Sequence, residues 1–405
     1  VELPTLRDAE LDGKRVLMRI DINSPIEPET GEILDDTRIR SHLPTIEALD
    51  SARLVLLAHQ SRPGLEDFTT LEEHSRRFGE LIDREVYYVD DVFGRAAREE
   101  IRRLRRGEVL LLENVRFCSE EVVEEVKRKP PRLQAKTNLV RKLSSYVDAF
   151  VNDAFAVAHR AQPSVVAFPE VLPSYAGKLM EREVENLSRV IKSDARPKVF
   201  CFGGAKVKDS LRVMEKLLSR NIADHVLTSG MVGNLLLLAS GVEIGEVNRR
   251  ALEEKGFLGL VEDARRLLDR YGERMHLPRD VAFSRDGARA EAGVERIPNL
   301  RIMDIGIETI AEYSGIIREA AVVAANGPAG MFELQEFALG SEELLKAMGS
   351  CRGFTVIGGG HLASIAARLN LKDRISFIST GGKAMLLFLA CEKLPGIEAL
   401  RRVGG

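Results

Sequence analysis

Apolar residues fall in short runs along most of this chain, separated by polar stretches with helical spacing. In the first part, residues 15–21, 54–58, 85–89, 109–112 and 149–152 read as strands, with helical patterns at 40–50 and 71–84 between them. Apolar strands alternating with helices predict a parallel sheet covered by helices. Residues 119–145 are charge-rich and contain Pro130 and Pro131, so they read as a solvated helix, a break and a second helix. Pro163, Pro169 and Pro173 favour an extended connector. A helix is expected to begin near Ser174, with Met180, Val184, Leu187 and Ile191 on one narrow apolar face. From residue 198 to about 390 the alternation resumes, interrupted at 272–305 by less regular strands and turns. The fold class this predicts is α/β: two Rossmann-like domains, each a parallel sheet flanked by helices, joined by a hinge helix. The expected boundaries are 1–173, 174–192 for the hinge and 193–390, with a Pro-Gly tail at 391–405. An ordinary surface helix is the competing reading of the hinge.

The second half adds a chemical signal. VFCFGGAKVKDS (199–210), VLTSGMVGN (226–234), VVAANGPAGMFE (322–333), FTVIGGGHLAS (354–364) and ISFISTGGKAM (375–385) each read as buried strand, glycine turn and helix start. That geometry aims unpaired backbone N–H groups and the positive helix end at an anion. Together the turns predict a sheet edge lined for a phosphate-bearing ligand. None spells a standard nucleotide loop: STGGKA lacks the earlier glycine and following Ser/Thr of a P-loop, and GGAKVKD and GGGHLAS are not GxGxxG. Taken singly, each is also an ordinary passage from strand to helix. Lys206 follows Gly203, Gly204 and Ala205, where an ammonium can meet a phosphate held by amides. Glu333 suits ribose hydroxyls, or equally the first turn of a helix.

The first half offers side chains instead. Asp21 and Asn23 follow RVLMRI at i, i+2 spacing, so in extended backbone they point the same way; capping a turn is the alternative. Arg38 sits just before a helix, His59 and Arg62 follow LVLLA, Arg116 follows VLLLEN, and His159 and Arg160 follow AFVND. Strand ends on one edge of a parallel sheet converge, and arginines there suit a small, multiply charged anion. Any one of them alone is also a surface charge. His42, His74 and His225 read as surface or packing residues. A polyanion site and a nucleotide site joined by a hinge imply group transfer, for which domain closure excludes water.

Composition narrows the picture a little. The chain has 405 residues, 44% hydrophobic and 30% charged, with net charge −3, which gives no argument for a nucleic-acid or membrane partner. No charged-then-apolar leader opens it, and no apolar run approaches the roughly 18 residues of a membrane span. A cytoplasmic location is expected, and Val1 in place of Met suggests processing or trimming. Cys118, Cys201, Cys351 and Cys391 lack metal-ligand spacing and read as buried free thiols.

The sequence resembles the phosphoglycerate kinase family over almost its whole length. The matching segments, in family order, are RVLMRIDINSPI, DDTRIRSHLPTI, HQSRPG, LLLENVRF, DAFVNDAFAVAHRA, GKLMEREVENL, FGGAKVKDSL, MDIGIETI, NGPAGMFE, VIGGGHLAS, FISTGGKA and LPGIEAL. The resemblance implies reversible phosphoryl transfer between ATP and 3-phosphoglycerate, giving ADP and 1,3-bisphosphoglycerate, with Mg2+. It implies a monomer of two similar α/β domains whose tail folds back on the amino domain. By matched motif, Asp21, Asn23, Arg38, His59, Arg62, Arg116 and Arg160 hold phosphoglycerate, and Lys206, Glu333, Gly358, Gly359, Gly360 and His361 hold the nucleotide. Arg38 and Lys206 would stabilise the moving phosphoryl from two sides, aided by the amides of Gly381 and Gly382. No side-chain nucleophile is required, because the substrate carboxylate attacks.

The chain departs from the family pattern in places. His361 stands where the family often has an Asp tied to the metal–nucleotide, and imidazole is a poor magnesium ligand, so no metal ligand is assigned. Lys383 stands at a common glycine, and Ser210 where a second lysine is frequent, with Lys208 nearby. HQSRPG differs from the usual HLGRP, and the whole pattern looks closer to archaeal members. A nicotinamide dehydrogenase is disfavoured by the lack of GxGxxG with an acid about 20 residues on. A non-catalytic polyanion-binding protein of the same fold is the other rival, separated by a coupled assay of turnover.

Overall fold

The computed structural model describes residues 3–401. Val1 and Glu2 of the first expected domain, and 402–405 of the expected tail, lie outside the described residues. The first sheet contains β1 (Arg15–Arg19), β2 (Arg53–Leu57), β3 (Val86–Val89), β4 (Val109–Leu112), β5 (Ala149–Asn152) and β6 (Ser174–Ala176). They lie in the order β3-β4-β2-β1-β5-β6, all parallel, with Val16 beside both Leu54 and Ala149. Successive residues point to opposite faces, and both faces are covered. Leu17, Val55, Leu110 and Phe150 enter one buried cluster, while Val16, Met18, Leu54 and Val151 enter another. That two-sided burial is why these strands read as continuous apolar runs rather than alternating ones.

The second sheet begins with β7 (Lys198–Phe202), β8 (His225–Thr228) and β9 (Met275–His276). The irregular stretch forms a separate antiparallel sheet of β10 (Asp280–Arg285), β11 (Ala288–Gly293) and β12 (Ile302–Ile305), ordered β11-β10-β12. The main sheet then resumes with β13 (Val322–Asn326), β14 (Phe354–Gly358) and β15 (Phe377–Ser379), giving the parallel order β15-β14-β13-β7-β8-β9. Its strand order reverses between β7 and β13, where two turns touch backbone to backbone. The N–H of Gly203 donates to the carbonyl of Asn326 (2.9 Å) and that of Gly204 to Pro328 (2.8 Å). A Cβ on Gly203 or Gly327 would collide with the opposite main chain, so both positions exclude every larger residue.

The chain divides into two compact units, residues Val1–Glu185 with Lys393–Gly405, and residues Asn186–Glu392. The division falls inside the helix Lys178–Lys192. Several local expectations need correction. Ser174–Ala176 is β6 rather than the start of that helix. Pro163 opens the short helix Pro163–Val166 and Pro169 lies in the 3-10 turn Phe168–Glu170, so these prolines start helical turns, where a missing N–H costs nothing, instead of extending the chain. Residues 119–145 form four short helices, Ser119–Val122, Glu124–Lys127, Pro131–Gln134 and Asn138–Ser144, and they are not simply solvated, since Glu121, Gln134, Leu139 and Leu143 are buried. The segment beyond residue 393 forms the helix Pro395–Arg401, whose Gly396 N–H donates to the carbonyl of Ala158 (2.8 Å). All four thiols are free, but only Cys118 is buried; Cys201 and Cys351 are half-buried and Cys391 is exposed. Among the described residues no helix is long and apolar enough to cross a membrane.

Asp280, at the start of β10, shows how the small sheet is fastened. Its carboxylate accepts the N–H groups of Glu308 (2.9 Å) and Thr309 (2.9 Å), capping the helix Ile307–Glu319 that buries Ile310, Tyr313 and Ile317. Replacing this side chain leaves one buried donor, the Thr309 N–H, and one part-buried donor, the Glu308 N–H, without acceptors. Asp280→Ala is expected to cost about 2 kcal/mol. Calorimetry should show the unfolding midpoint lowered by roughly 4–8 °C.

Candidate active site

Residues from several strand ends of the first unit gather around Asp21, two positions beyond β1. Asp21 is buried, its carboxylate pairs with the guanidinium of Arg38 (2.5 Å), and one oxygen lies 3.9 Å from His59 Nδ1. The same oxygen accepts the N–H of Asn23 (3.2 Å), so Asp21 both caps a turn and faces the cluster. Burial opposes its ionisation, yet the guanidinium groups of Arg38 and Arg19 hold the carboxyl well below the usual carboxylate range. Arg38 lies inside the short helix Thr37–Ser41, one residue past its start, rather than before it. Asn23 Oδ1 accepts the N–H of Ser61 (2.7 Å), which fixes the turn after β2 in a left-handed conformation at Ser61 (φ 53°).

Arg19, the last residue of β1, is buried within this cluster. Its Nε donates to Ser164 Oγ (3.0 Å), its Nη1 to the carbonyl of Ile20, and its Nη2 lies 3.1 Å from His59 Nδ1. A guanidinium only donates, so His59 Nδ1 accepts and the proton resides on Nε2. Burial, then Arg19, push the His59 pKa well below its ordinary value, and the ring is neutral at pH 7. Arg116 is also buried. Its Nη1 donates to the Ser61 carbonyl, while its Nη2 has no partner among the described residues. Burial, then the charges of Arg160 and Arg19, push its pKa down to about 10. Arg160 and Arg62 are exposed, His159 is half-buried, and Arg62's side chain makes no hydrogen bond or ion pair among the described residues. Buried Glu121 supplies the second nearby negative charge and accepts from Ser164 N (3.1 Å) and Oγ (2.6 Å). Burial pushes its carboxyl up despite Arg19. The guanidinium groups of Arg19, Arg38, Arg116 and Arg160 thus outnumber the carboxylates, a field that concentrates small anions.

The second unit presents mostly backbone. Four of its five glycine turns lead straight into helices, namely Val207–Ser219, Gly230–Ala239, Gly360–Arg368 and Lys383–Leu389. The turn after β13 does not. There the chain runs through the 3-10 turn Gln335–Phe337 before the helix Leu339–Ser350 starts, because its first residues are committed to the backbone contact with Gly203. Glu333 is therefore not in the first turn of a helix. It is exposed and, with His361, Asn234, Pro278 and Phe332, lines a cavity of about 320 Å³. The His361 ring lies against Phe332, with centroids 4.9 Å apart.

Lys206, Gly359 and Gly382 converge: a Cβ built on Gly382 would stand 3.0 Å from Lys206 Nζ and 3.7 Å from Gly359 Cα. Asn326 Nδ2 donates to the carbonyls of Gly358 (3.1 Å) and Gly382 (3.4 Å), tying these turns together. Lys383 pairs with Asp209 (3.0 Å), whereas Lys208 lines a different cleft with Arg212 and Arg270, and Ser210 is buried. Asp304 also lines the 320 Å³ cavity, bonded to Arg289 (2.9 Å) and the Gly340 N–H (2.8 Å). Burial pushes its carboxyl up to about 6.

Sequence reasoning did not select Arg19, Glu121 or Asn326. A charge ending the apolar run RVLMRI was the available signal for Arg19; Glu121 is hidden in a run of charges that looks solvated. His42 and His74 are both buried, and His225 Nδ1 lies 3.0 Å from His276 Nε2. His74 Nε2 bonds Gln60 Oε1 (3.1 Å), and Gln60 in turn bonds both main-chain groups of Ser24 beside the cluster. Burial lowers the His74 pKa from 6.5 to about 4. The unfolded chain then binds a proton at a higher pH than the folded one, so His74 contributes stability that is complete above pH 6.5 and lost on acidification toward 4. The loss is on the order of 3 kcal/mol. Denaturant unfolding followed from pH 7 to 4 should fall less steeply in His74→Gln than in the parent chain.

The family model described as phosphoglycerate kinase matches residues 6–392. The chain is 50% identical to the phosphoglycerate kinase of Methanothermus fervidus over 398 residues, covering 98% of this chain and 96% of that protein. It is 44% identical to that of Sulfurisphaera tokodaii over 403 residues, covering 99% and 96%. Among solved structures, the phosphoglycerate kinase of Pyrococcus horikoshii superposes with a TM-score of 0.93 at 43% identity over 99% of each chain. That of Coxiella burnetii gives 0.79 at 29%, again over 99% of each. The chain belongs to the phosphoglycerate kinase family.

Proposed function

We propose that the Asp21 cluster holds 3-phosphoglycerate and that the glycine-turn edge of the second sheet holds the nucleotide. These are the two halves of the reaction this chain carries out, reversible phosphoryl transfer between ATP and 3-phosphoglycerate giving ADP and 1,3-bisphosphoglycerate. The observation that carries the reading is Arg116 Nη2, a buried guanidinium nitrogen without a partner among the described residues. Buried donors are almost always satisfied, and the carboxylate or phosphate of the acid substrate is the matching acceptor. Arg38, Arg62 and Arg160 add charge around it, Asp21 and Asn23 orient the hydroxyl-bearing carbon, and neutral His59 offers its Nε2–H. Lys206 with the amide of Gly382 receives the phosphates, whereas the Gly381 N–H expected to help is already donated to Ser379 Oγ (3.1 Å); Glu333, Gly358, Gly359, Gly360 and His361 border the rest of the nucleotide.

In the forward direction, a carboxylate oxygen of 3-phosphoglycerate attacks the γ-phosphorus as its bond to the β,γ-bridging oxygen breaks and ADP leaves. The transferring group is loose and metaphosphate-like, so the protein's task is to position it and stabilise its equatorial oxygens. Arg38 from the acid side and Lys206 from the nucleotide side do this. The helix Lys178–Lys192, inside which the two units divide, is the hinge on which donor and acceptor are brought together with water excluded. Magnesium enters as part of the nucleotide substrate. Among the described residues no three His, Cys, Asp or Glu side chains are grouped to hold a metal, and the His361 ring lies tilted against Phe332. Bound with the nucleotide, the ion would take its hard oxygen ligands mostly from phosphates and water. A cytoplasmic monomer suits small diffusible substrates of this kind.

Two measurements test the assignment. Arg38→Ala should lower kcat at least about 100-fold, the scale of one lost preorganised donor, with the fold retained but the unfolding midpoint lowered, because the buried Asp21 carboxylate loses its partner. Unchanged turnover removes Arg38 from the mechanism. In calorimetric titration, Arg116→Gln should weaken 3-phosphoglycerate binding by about tenfold or more, the cost of one charged hydrogen bond, and leave nucleotide binding as it is. Equal loss for both ligands would refute a site selective for the acid.

A further inference from the structure

We propose that His42 is a positioning residue: it ties the amino end of the helix Lys178–Lys192 to Asp21 and, through that carboxylate, sets where Arg38 stands. The inference rests on the reading of the Asp21 cluster as the acid site. His42 is 1% exposed and occupies the junction between the helices Thr37–Ser41, which carries Arg38, and Leu43–Ala48, which carries Thr45. Both ring nitrogens are engaged. Nδ1 lies 2.7 Å from Asp153 Oδ2, and Nε2 lies 3.0 Å from the amide nitrogen and 3.1 Å from the carbonyl oxygen of Asp21. A neutral ring accepts the amide; a protonated ring donates to the carbonyl. Either form makes the bridge.

The far side of Asp153 is the helix. Its Oδ1 accepts the N–H groups of Leu179 (3.0 Å) and Met180 (3.4 Å), and Thr45 Oγ1 accepts that of Lys178 (3.0 Å). Three N–H groups that the helix itself cannot satisfy are thereby fixed by Asp153 and Thr45. A Cβ on Gly177 would collide with the Asp153 carboxylate, so glycine there lets the chain close over it. Asp153 is wholly buried, and its own N–H donates to the carbonyl of Arg19 (2.9 Å). From helix to cluster the path is continuous: helix amides, Asp153, His42, the Asp21 main chain, the Asp21 carboxylate and Arg38.

Each link is short, buried and directional, so a tilt of the helix's first turn does not stay local. Displacing a positioned catalytic group by about 1 Å costs on the order of a hundredfold in rate. A histidine that only filled space would not need both nitrogens bonded. Removing it should disturb the acid side of the reaction and spare the nucleotide side.

The test compares His42→Leu, similar in volume but unable to bridge, with His42→Gln, which retains an amide able to make part of the bridge. Steady-state kinetics on the full chain should show kcat/KM for 3-phosphoglycerate lowered about 10- to 100-fold in His42→Leu and partly recovered in His42→Gln. KM for ATP should stay within about twofold. If His42→Leu does not fold, His42→Gln alone must show the acid-selective loss. Wild-type constants in both variants overturn the proposal, and so do equal losses for both substrates or a lowered unfolding midpoint with unchanged kinetics. Arg38→Ala run alongside separates the two ideas. If it is impaired while His42 variants are normal, only the bridge fails; if it turns over normally, the reading of the acid site fails first.

Discussion

The cost of keeping several guanidinium groups close together while they are partly out of water governs the first unit. Arg19 and Arg116 are buried, and their mutual repulsion, with that of Arg160, weighs against the charged form of Arg116. A site of this kind survives only if each cation has a fixed oxygen and a compensating charge near it. Ser164 and the carbonyls of Ile20 and Ser61 provide the oxygens; Asp21 and Glu121 provide the charge. The compensation stays incomplete on the side of Arg116 Nη2. Under the proposed assignment, a substrate with a carboxylate and a phosphate supplies the missing acceptor.

Much of the architecture was legible because burial leaves a plain mark on sequence. Both faces of β1, β2, β4 and β5 are covered, so these strands appear as unbroken apolar runs. The glycine turns after β7 and β14 were legible because close main-chain approach admits no side chain. The helix after β13 was misread for a related reason. Gly327 and Pro328 suggest a turn equally well whether it opens a helix or locks against a neighbouring loop, and the lock to Gly203 is a contact between distant segments. Prolines suit an extended connector and the first turn of a helix equally well, and Pro163 and Pro169 sit in helical turns whose Val165, Val166 and Phe168 are buried.

The site shows the same division. Residues at strand ends, such as Asp21, His59 and Arg116, could be selected from position alone. Arg19 could not, since its side chain leaves the end of β1 to enter the cluster, a fact of orientation rather than order. Glu121 was lost because a short helix rich in charges looks the same whether one carboxylate points outward or inward. His42 reads as a surface or packing residue, and it is buried; what the sequence lacked was the identity of its neighbours, since Asp153 lies far along the chain.

Under the proposed assignment, the two sheet edges prepare for anions by different means, and the difference follows from what each would hold. Nucleotide phosphates are bulky and extended, and they suit main-chain groups around Gly359 and Gly382 with Lys206 beside them. Amide dipoles are fixed by the fold and carry no net charge, so grouping them brings little repulsion. A small acid offers few contact points, and each must be stronger. Charged hydrogen bonds provide that, at the cost of gathering like charges, and the cost is met by burying acids among them. An edge lined by arginines therefore needs an internal framework of carboxylates and hydroxyls, which the first unit has in Asp21, Glu121 and Ser164. The amide edge needs mainly glycines and a rigid turn, which the second unit has in the contact of Gly203 with Asn326 and the two bonds of the Asn326 side chain.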